Sequence, residues 1–364
     1  MYIFLDTNIF YNNWYLKSAD FKYLFNYLSN TGSTLLLSDV VCMEVENLRT
    51  KELTAISSTI TSELKKAKKL NSIVVDFDLS KLDQPYNFKE LVNDRAISVI
   101  FLPCDNVSQT EVLTRALKKI KPFQEEDKGY RDTLIWLSLI KYLKHSNART
   151  SVVFITNNKN DFFSPAKTEL HDDLKNDIVE SALQCKILAH DSLYSFISKQ
   201  IDKNKHEFTF AQVNEEFLQP IERDIEFDTG TFLENLQSPD FKKLLEDSIS
   251  SFPRLGFVME HTFTIWEGTE DAEVFGCERI DSKLLYIYYR YNLRDCIIGL
   301  TIHISDYENR KEELKNFFYN ITVNDDIVTL EFSCRIYVDT SFNYSLESSS
   351  IDGLSINNFE AKIR

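Results

Sequence analysis

Met1-Tyr2-Ile3-Phe4-Leu5-Asp6-Thr7-Asn8-Ile9-Phe10 opens the chain. Its apolar run, Tyr2 to Leu5, has the length and side chains of a buried strand, and it stops on a carboxylate. Thr7 and Asn8 are residues that turn a backbone and hydrogen-bond a neighbouring acid. A strand ending this way sets Asp6 at the carboxyl edge of a sheet, where α/β folds place their ligands.

The next 190 residues alternate strand and helix. Asp20–Ser29 is amphipathic through Phe21, Leu24, Phe25 and Leu28, Thr34–Leu37 reads as a second strand, and Ser38 stands as the N-cap of a helix through Val41, Val45 and Leu48. Residues 50–128 read as a mainly helical insertion, with helices near 54–70, 87–98 and 108–121. Arg131–Lys144 is apolar on almost every face, which predicts a deeply buried helix. Strands follow at Ser151–Ile155 and Cys185–Leu188, with helices near 170–183 and 191–200. Alternation of this kind implies a parallel sheet covered by helices on both faces, a three-layer α/β/α domain over residues 1–200.

Beyond it, residues 201–230 read as a polar connector and 231–364 as an α+β domain. A helix is expected at Asp240–Ser250 and another near 308–319. A period of two at Thr262–Trp266, Leu284–Tyr291, Ile297–Ile304 and Val328–Val338 predicts a mainly antiparallel sheet. Charge divides in the same place. Residues 1–199 carry 25 Lys/Arg and 25 Asp/Glu, whereas residues 200–364 carry 16 and 31. An acidic second half repels polynucleotides, so any nucleic acid belongs to the first half.

The six cysteines are scattered without a CxxC or Cys/His pairing, which argues for reduced thiols in a cytoplasmic protein and against zinc. The opening apolar run is too short for a signal peptide, and no stretch reaches the roughly 20 apolar residues of a membrane span. Only eight glycines occur, with no Gly-rich phosphate loop among them.

Three further acids occupy settings like that of Asp6. Glu44 lies one turn into the helix after the second strand, Asp132 in the first turn of the buried helix, and Asp161 in the loop after the third strand. Glu46 competes with Glu44 but points elsewhere around the helix. For Asp132 the alternative is a helix-dipole partner, and for Asp161 a simple N-cap. Four carboxylates on one sheet edge repel one another unless a cation joins them, which suggests Mg²⁺ or Mn²⁺ and phosphodiester hydrolysis.

These segments resemble those of the PIN domain, a metal-dependent nuclease fold. The resemblance rests on Leu5-Asp6-Thr7-Asn8, on Glu44, on Gly129-Tyr130-Arg131-Asp132-Thr133-Leu134-Ile135-Trp136, and on the loop Thr156 to Phe162, and it covers about residues 1–195. It implies that Asp6, Glu44, Asp132 and Asp161 are the catalytic metal ligands, with Thr7, Asn8, Thr156 and Asn158 positioning them. Many relatives carry an acid where Asn158 stands. The resemblance favours RNA over DNA, admits a homodimer, and suggests a toxin or antiviral defence effector. The acidic domain is then a regulatory module for a protein partner. The competing reading is an inactive PIN-like scaffold that binds nucleic acid or protein.

Two basic runs in the insertion, Lys65/Lys66/Lys68/Lys69 and Arg115/Lys118/Lys119/Lys121, read either as solvated helix faces or as a phosphate clamp beside the cleft. Lys128 and Arg131 flank Asp132 directly. Tyr11, Trp14, Tyr15 and Tyr130 are either base-stacking surfaces or core.

Overall fold

A computed structural model describes residues 1–70, 84–123, 128–200, 213–280 and 282–363. The chain divides into two compact units: residues 1–17 with 21–197, and residues 18–20 with 198–364.

The first unit is built on a five-stranded parallel sheet of β1 (Tyr2–Leu5), β2 (Thr34–Ser38), β3 (Val99–Leu102), β4 (Val152–Ile155) and β5 (Ile187–His190), in the order β3-β2-β1-β4-β5. Phe4 lies opposite Leu36 on one side and Phe154 on the other. Ile3, Phe4, Leu5, Leu35, Leu36, Leu37 and the whole of β4 are buried, as expected of parallel strands covered on both faces. From β1 the chain winds outward through β2 and β3, then returns to the other side of β1 as β4 and β5. The point of reversal, between β1 and β4, is where sheets of this kind open a crevice at the carboxyl ends of their strands.

Helices α1 (Ala19–Thr31), α2 (Asp39–Leu70), α3 (Phe88–Arg95), α4 (Gln109–Lys118), α5 (Tyr130–His145), α6 (Lys159–Phe162), α7 (Asp172–Glu180) and α8 (Leu193–Gln200) complete the unit. Helix α5 is buried on nearly every face, at Ile135, Trp136, Leu137, Leu139, Ile140 and Leu143. Trp136, Phe154 and Phe162 pack in sequence, tilted and then edge-to-face, with ring centroids 5.9 and 5.0 Å apart, and tie α5, β4 and α6 together.

The 50–128 insertion departs from its expected form in two ways. Helix α2 does not break near residue 50 but runs unbroken for 32 residues. Neither Gly nor Pro interrupts it. The hydroxyls of Thr50, Thr54, Thr59 and Thr61 donate to carbonyls four residues back, so these polar residues are satisfied without leaving the helix. The insertion also holds a strand, β3, which extends the sheet beyond β2. Its Val-Ile-Phe-Leu run before Pro103 carries the strand signal.

The second unit has an antiparallel sheet, β6 (Glu260–Arg279), β7 (Leu284–His303), β8 (Asn320–Asn324), β9 (Ile327–Ser345) and β10 (Ser350–Ile363), in the order β10-β9-β7-β6, with β8 pairing β9. Burial alternates strictly along Ile327–Val338. The two strands expected at 284–291 and 297–304 are one strand of 20 residues, because the break between them is a bulge at Leu293–Cys296 rather than a turn. Helices α9 (Glu222–Glu234) and α10 (Ser238–Ser248) bury Ile225, Leu233, Phe241 and Leu245 in the same cluster as Ile298, Leu330 and Ile336. The connector expected at 201–230 is therefore corrected from residue 213 onward: Val213, Leu218 and Ile221 already belong to this core. The expected helix near 308–319 is two short ones, α11 (Ile304–Glu308) and α12 (Lys311–Phe317). No helix among the described residues is long and apolar enough to cross a membrane.

Candidate active site

Asp6 leaves β1 with its N–H still bonded to the Ile155 carbonyl, which fixes its backbone to β4. Its side chain caps the short helix Thr7–Phe10. Oδ1 accepts the Thr7 N–H at 2.7 Å, while Oδ2 accepts the Thr156 hydroxyl at 2.6 Å and the Asn8 amide at 2.9 Å. Asn8 in turn accepts the Asn157 N–H at 2.9 Å, stapling the β1 and β4 loops together. Only 2% of Asp6 is exposed. Burial pushes its pKa up to about 6, against the lowering effect of the Thr156 and Thr7 hydrogen bonds, and nearby Glu44 adds to the rise.

Glu44 sits on α2 one turn after β2. Thr7 donates its hydroxyl to Glu44 Oε2 at 2.7 Å, and Arg131 pairs with Oε1. Its rival Glu46 turns away and accepts the Phe88 N–H at the start of α3. Asp161, buried in α6, accepts from the Asn158 side-chain amide at 2.7 Å and lies 3.4 Å from the Lys121 ammonium. Asn158 therefore has a use at the position where an acid was expected: it holds the acid three residues on.

Asp132 occupies the first turn of α5. Among the described residues it accepts no hydrogen bond and forms no ion pair. Desolvation, followed by the charges of Asp6, Asp161 and Glu44, pushes it up to about 7, while Arg131 opposes the rise. The charges of Asp6, Asp161 and Glu44 are thus near enough to Asp132 to raise its carboxyl pKa. Gly129 sets the entry to α5 at φ +103°, and a Cβ there would lie 2.3 Å from the Pro122 carbonyl oxygen. Only glycine admits so close an approach.

Residues 3–162 match the family model of the PIN domain. The N-terminal unit is a PIN-like domain. PIN domains are in general metal-dependent nucleases, and they typically use divalent ions. The match ends at Phe162, so residues 198–364 of the second unit lie outside it. No curated protein and no solved structure matches the chain.

The donor set of this PIN-like domain suits a hard divalent ion, since it consists of carboxylate oxygens with hydroxyl and amide groups orienting them. An unpaired carboxylate among three others is a place a cation would relieve. Among the described residues, however, no three of them converge as a finished ligand cluster. Glu44 is drawn to Arg131 and Asp161 to Lys121.

The basic residues separate. Arg131 has an exposed side chain, and Lys128 is also exposed, both at the start of α5. Lys118 lies exposed at the end of α4. Lys65 and Lys69 are exposed, but at about 1.5 Å per residue they stand roughly 30 and 37 Å along α2 from Glu44, so they are not beside the acids. Arg115 is not a phosphate contact, because it is 5% exposed and its guanidinium grips Asp177 at 2.7 and 2.8 Å. Its spacing from Val112, three residues back on one helix face, is the signal that marks it as inward. Tyr11, Tyr15 and Tyr130 are exposed, whereas Trp14 is half-buried against Tyr11.

Proposed function

We propose that this chain is a metal-dependent endonuclease that hydrolyses phosphodiester bonds, with single-stranded RNA as the favoured substrate and residues 1–200 as its nuclease domain. The observation that carries the reading is Asp132, unpaired among the described residues and raised in pKa by the nearby charges of Asp6, Asp161 and Glu44. A Mg²⁺ or Mn²⁺ ion at these carboxylates would acidify an attacking water and offset charge on the scissile phosphate.

The chain's own residues do the positioning. Thr156, Asn8 and the Thr7 N–H orient Asp6, the Thr7 hydroxyl orients Glu44, and Asn158 orients Asp161. Arg131 is 66% exposed in its side chain, long enough to leave Glu44 for a substrate phosphate, and Lys128 sits beside it. Lys118 is a further backbone contact, while Lys65 and Lys69 would meet the strand many nucleotides away. Exposed Tyr11, Tyr15 and Tyr130 supply ring faces for unpaired bases. The preference for RNA, and a role as toxin or defence effector in the cytoplasm, rest on family habit. The acidic domain, residues 231–364, suits a regulatory protein partner better than a polynucleotide.

A second reading, a scaffold that binds without cleaving, is favoured by the pairing of Glu44 with Arg131 and Asp161 with Lys121. Cleavage of end-labelled single-stranded RNA and DNA with Mn²⁺ separates the two. Wild type is expected to cut, and Asp6→Asn and Asp132→Asn to lose at least a hundredfold. No metal-dependent cut on either substrate, or undiminished activity in both variants, would leave the scaffold.

A further inference from the structure

Lys121 ends a basic run, yet its surroundings are unlike those of a surface lysine. Its backbone N–H donates to Asp173 Oδ2 at 2.9 Å, and its carbonyl accepts from Arg115 Nη2. Arg115 is itself held by both oxygens of Asp177, and Asp177 Oδ2 also accepts the Trp136 indole N–H at 2.7 Å. Trp136 lies one turn beyond Asp132 on α5, so this clamp closes back onto the helix that carries the third acid. The same turn packs on Gly129, where nothing larger fits. Both polar groups of the Lys121 backbone are thus engaged by charged side chains.

Among the described residues the ammonium at the other end has two partners: the Asn160 carbonyl at 2.9 Å and Asp161 Oδ1 at 3.4 Å. The other oxygen of Asp161 is taken by Asn158. Arg131 differs, since its side chain is largely exposed and projects from the first turn of a helix. Among the described residues two cations pair with site acids: Arg131, on a largely exposed side chain, and Lys121, whose backbone is held by Asp173 and Arg115.

We infer that Lys121 is a resident cation of the acid cluster, seated on Asp161 where a second divalent ion would otherwise bind, so that the site takes one divalent ion at Asp6, Glu44 and Asp132. Two-metal phosphodiesterases hold their ions about 4 Å apart on shared carboxylates. An ammonium fixed on one carboxylate supplies positive charge there and repels a second ion. The inference rests on the divalent-ion reading of the cluster, and not on the chemistry that follows binding.

The test counts ions. Metal-free protein at pH 7.5 is titrated with Mn²⁺, and free Mn²⁺ is measured by electron paramagnetic resonance. Wild type and Lys121→Arg are expected to bind one ion per chain, and Lys121→Met to bind a second with affinity within tenfold of the first. Lys121→Gln gives the same comparison if the methionine variant melts early in EDTA. Two ions in wild type, none in any variant, or an unchanged count and affinity in both Lys121→Met and Lys121→Gln would overturn the inference. Cleavage followed in the same samples keeps the readings apart. One ion bound without cleavage removes the nuclease reading alone, and cleavage with an unaltered ion count removes the resident cation alone.

Discussion

The Thr7 hydroxyl donates to Glu44 Oε2 at 2.7 Å, across 37 residues of chain. The same residue's N–H donates to Asp6 at 2.7 Å. One threonine thus sets the spacing of two carboxylates from different elements. Thr7→Val keeps the shape and the N–H but removes the donor to Glu44. Hydrogen bonds to charged groups contribute about 1.5–3 kcal/mol, and a loss near the lower bound is expected because Arg131 still pairs with Glu44. Urea unfolding measures it, and the variant should bind Mn²⁺ several-fold more weakly. Unchanged midpoint and affinity would show that Glu44 is placed by α2 alone.

The carboxyls of Asp6 and Asp132 are raised to about 6 and about 7 from 3.8. A raised carboxyl pKa means that the folded state binds protons more tightly than the unfolded state. These two groups therefore favour folding at low pH and progressively oppose it as pH rises from about 4 to 7. In EDTA, Asp132→Asn should flatten that part of the stability curve and raise the urea midpoint at pH 7.5. Mg²⁺ should stabilise wild type more at pH 7.5 than at pH 5, and stabilise the variant less. Parallel pH curves for the two proteins in EDTA would contradict the electrostatic account.

The Arg115–Asp177 pair is buried on both sides, with side-chain exposures of 6% and 15%. Breaking such a pair leaves a charge without a partner, which costs about 3–5 kcal/mol, whereas an exposed pair contributes about 0–1. Asp177→Ala should fall in the first range because it strands both Arg115 and the Trp136 indole N–H. Glu63→Ala, which opens the exposed Lys66 pair, is the control in the second range. Chemical denaturation of both decides, and equal small losses would mean that Arg115 is solvated.

Gly129→Ala meets the Pro122 carbonyl oxygen at 2.3 Å and requires φ near +103° from a residue with a Cβ. Strain of that kind is of order 1–3 kcal/mol before the clash is relieved. The melting temperature should drop by several degrees, and Mn²⁺ affinity should fall as the start of α5 shifts. A variant with native stability and affinity would show that this turn has room to move.

Much of the first unit was legible because its signals are local. Four-residue apolar runs, helical spacing and turn residues marked β1, β2, β4, α1 and α5. The strand β3 was hidden by its neighbours, since a four-residue run inside a helical stretch is ambiguous by periodicity alone. The unbroken α2 was hidden because its threonines bond backward within the helix. In the second unit, alternation marked β-structure correctly, but a bulge and a chain break look alike in sequence, so β7 was read as two strands.

By itself, the sequence determined that Asp6 ends a buried strand, that Glu44, Asp132 and Asp161 stand on elements able to join it, and that the excess negative charge lies in the other half. Only the tertiary structure decided which charge meets which. It buried Arg115 on Asp177, seated Lys121 on Asp161, turned Glu44 toward Thr7 and Arg131, and left Asp132 without a partner among the described residues. The reason is range. Strand and helix signals depend on neighbours a few residues apart, whereas these pairings span 37 to 87 residues and exist only once the sheet edge and the helices around it have packed.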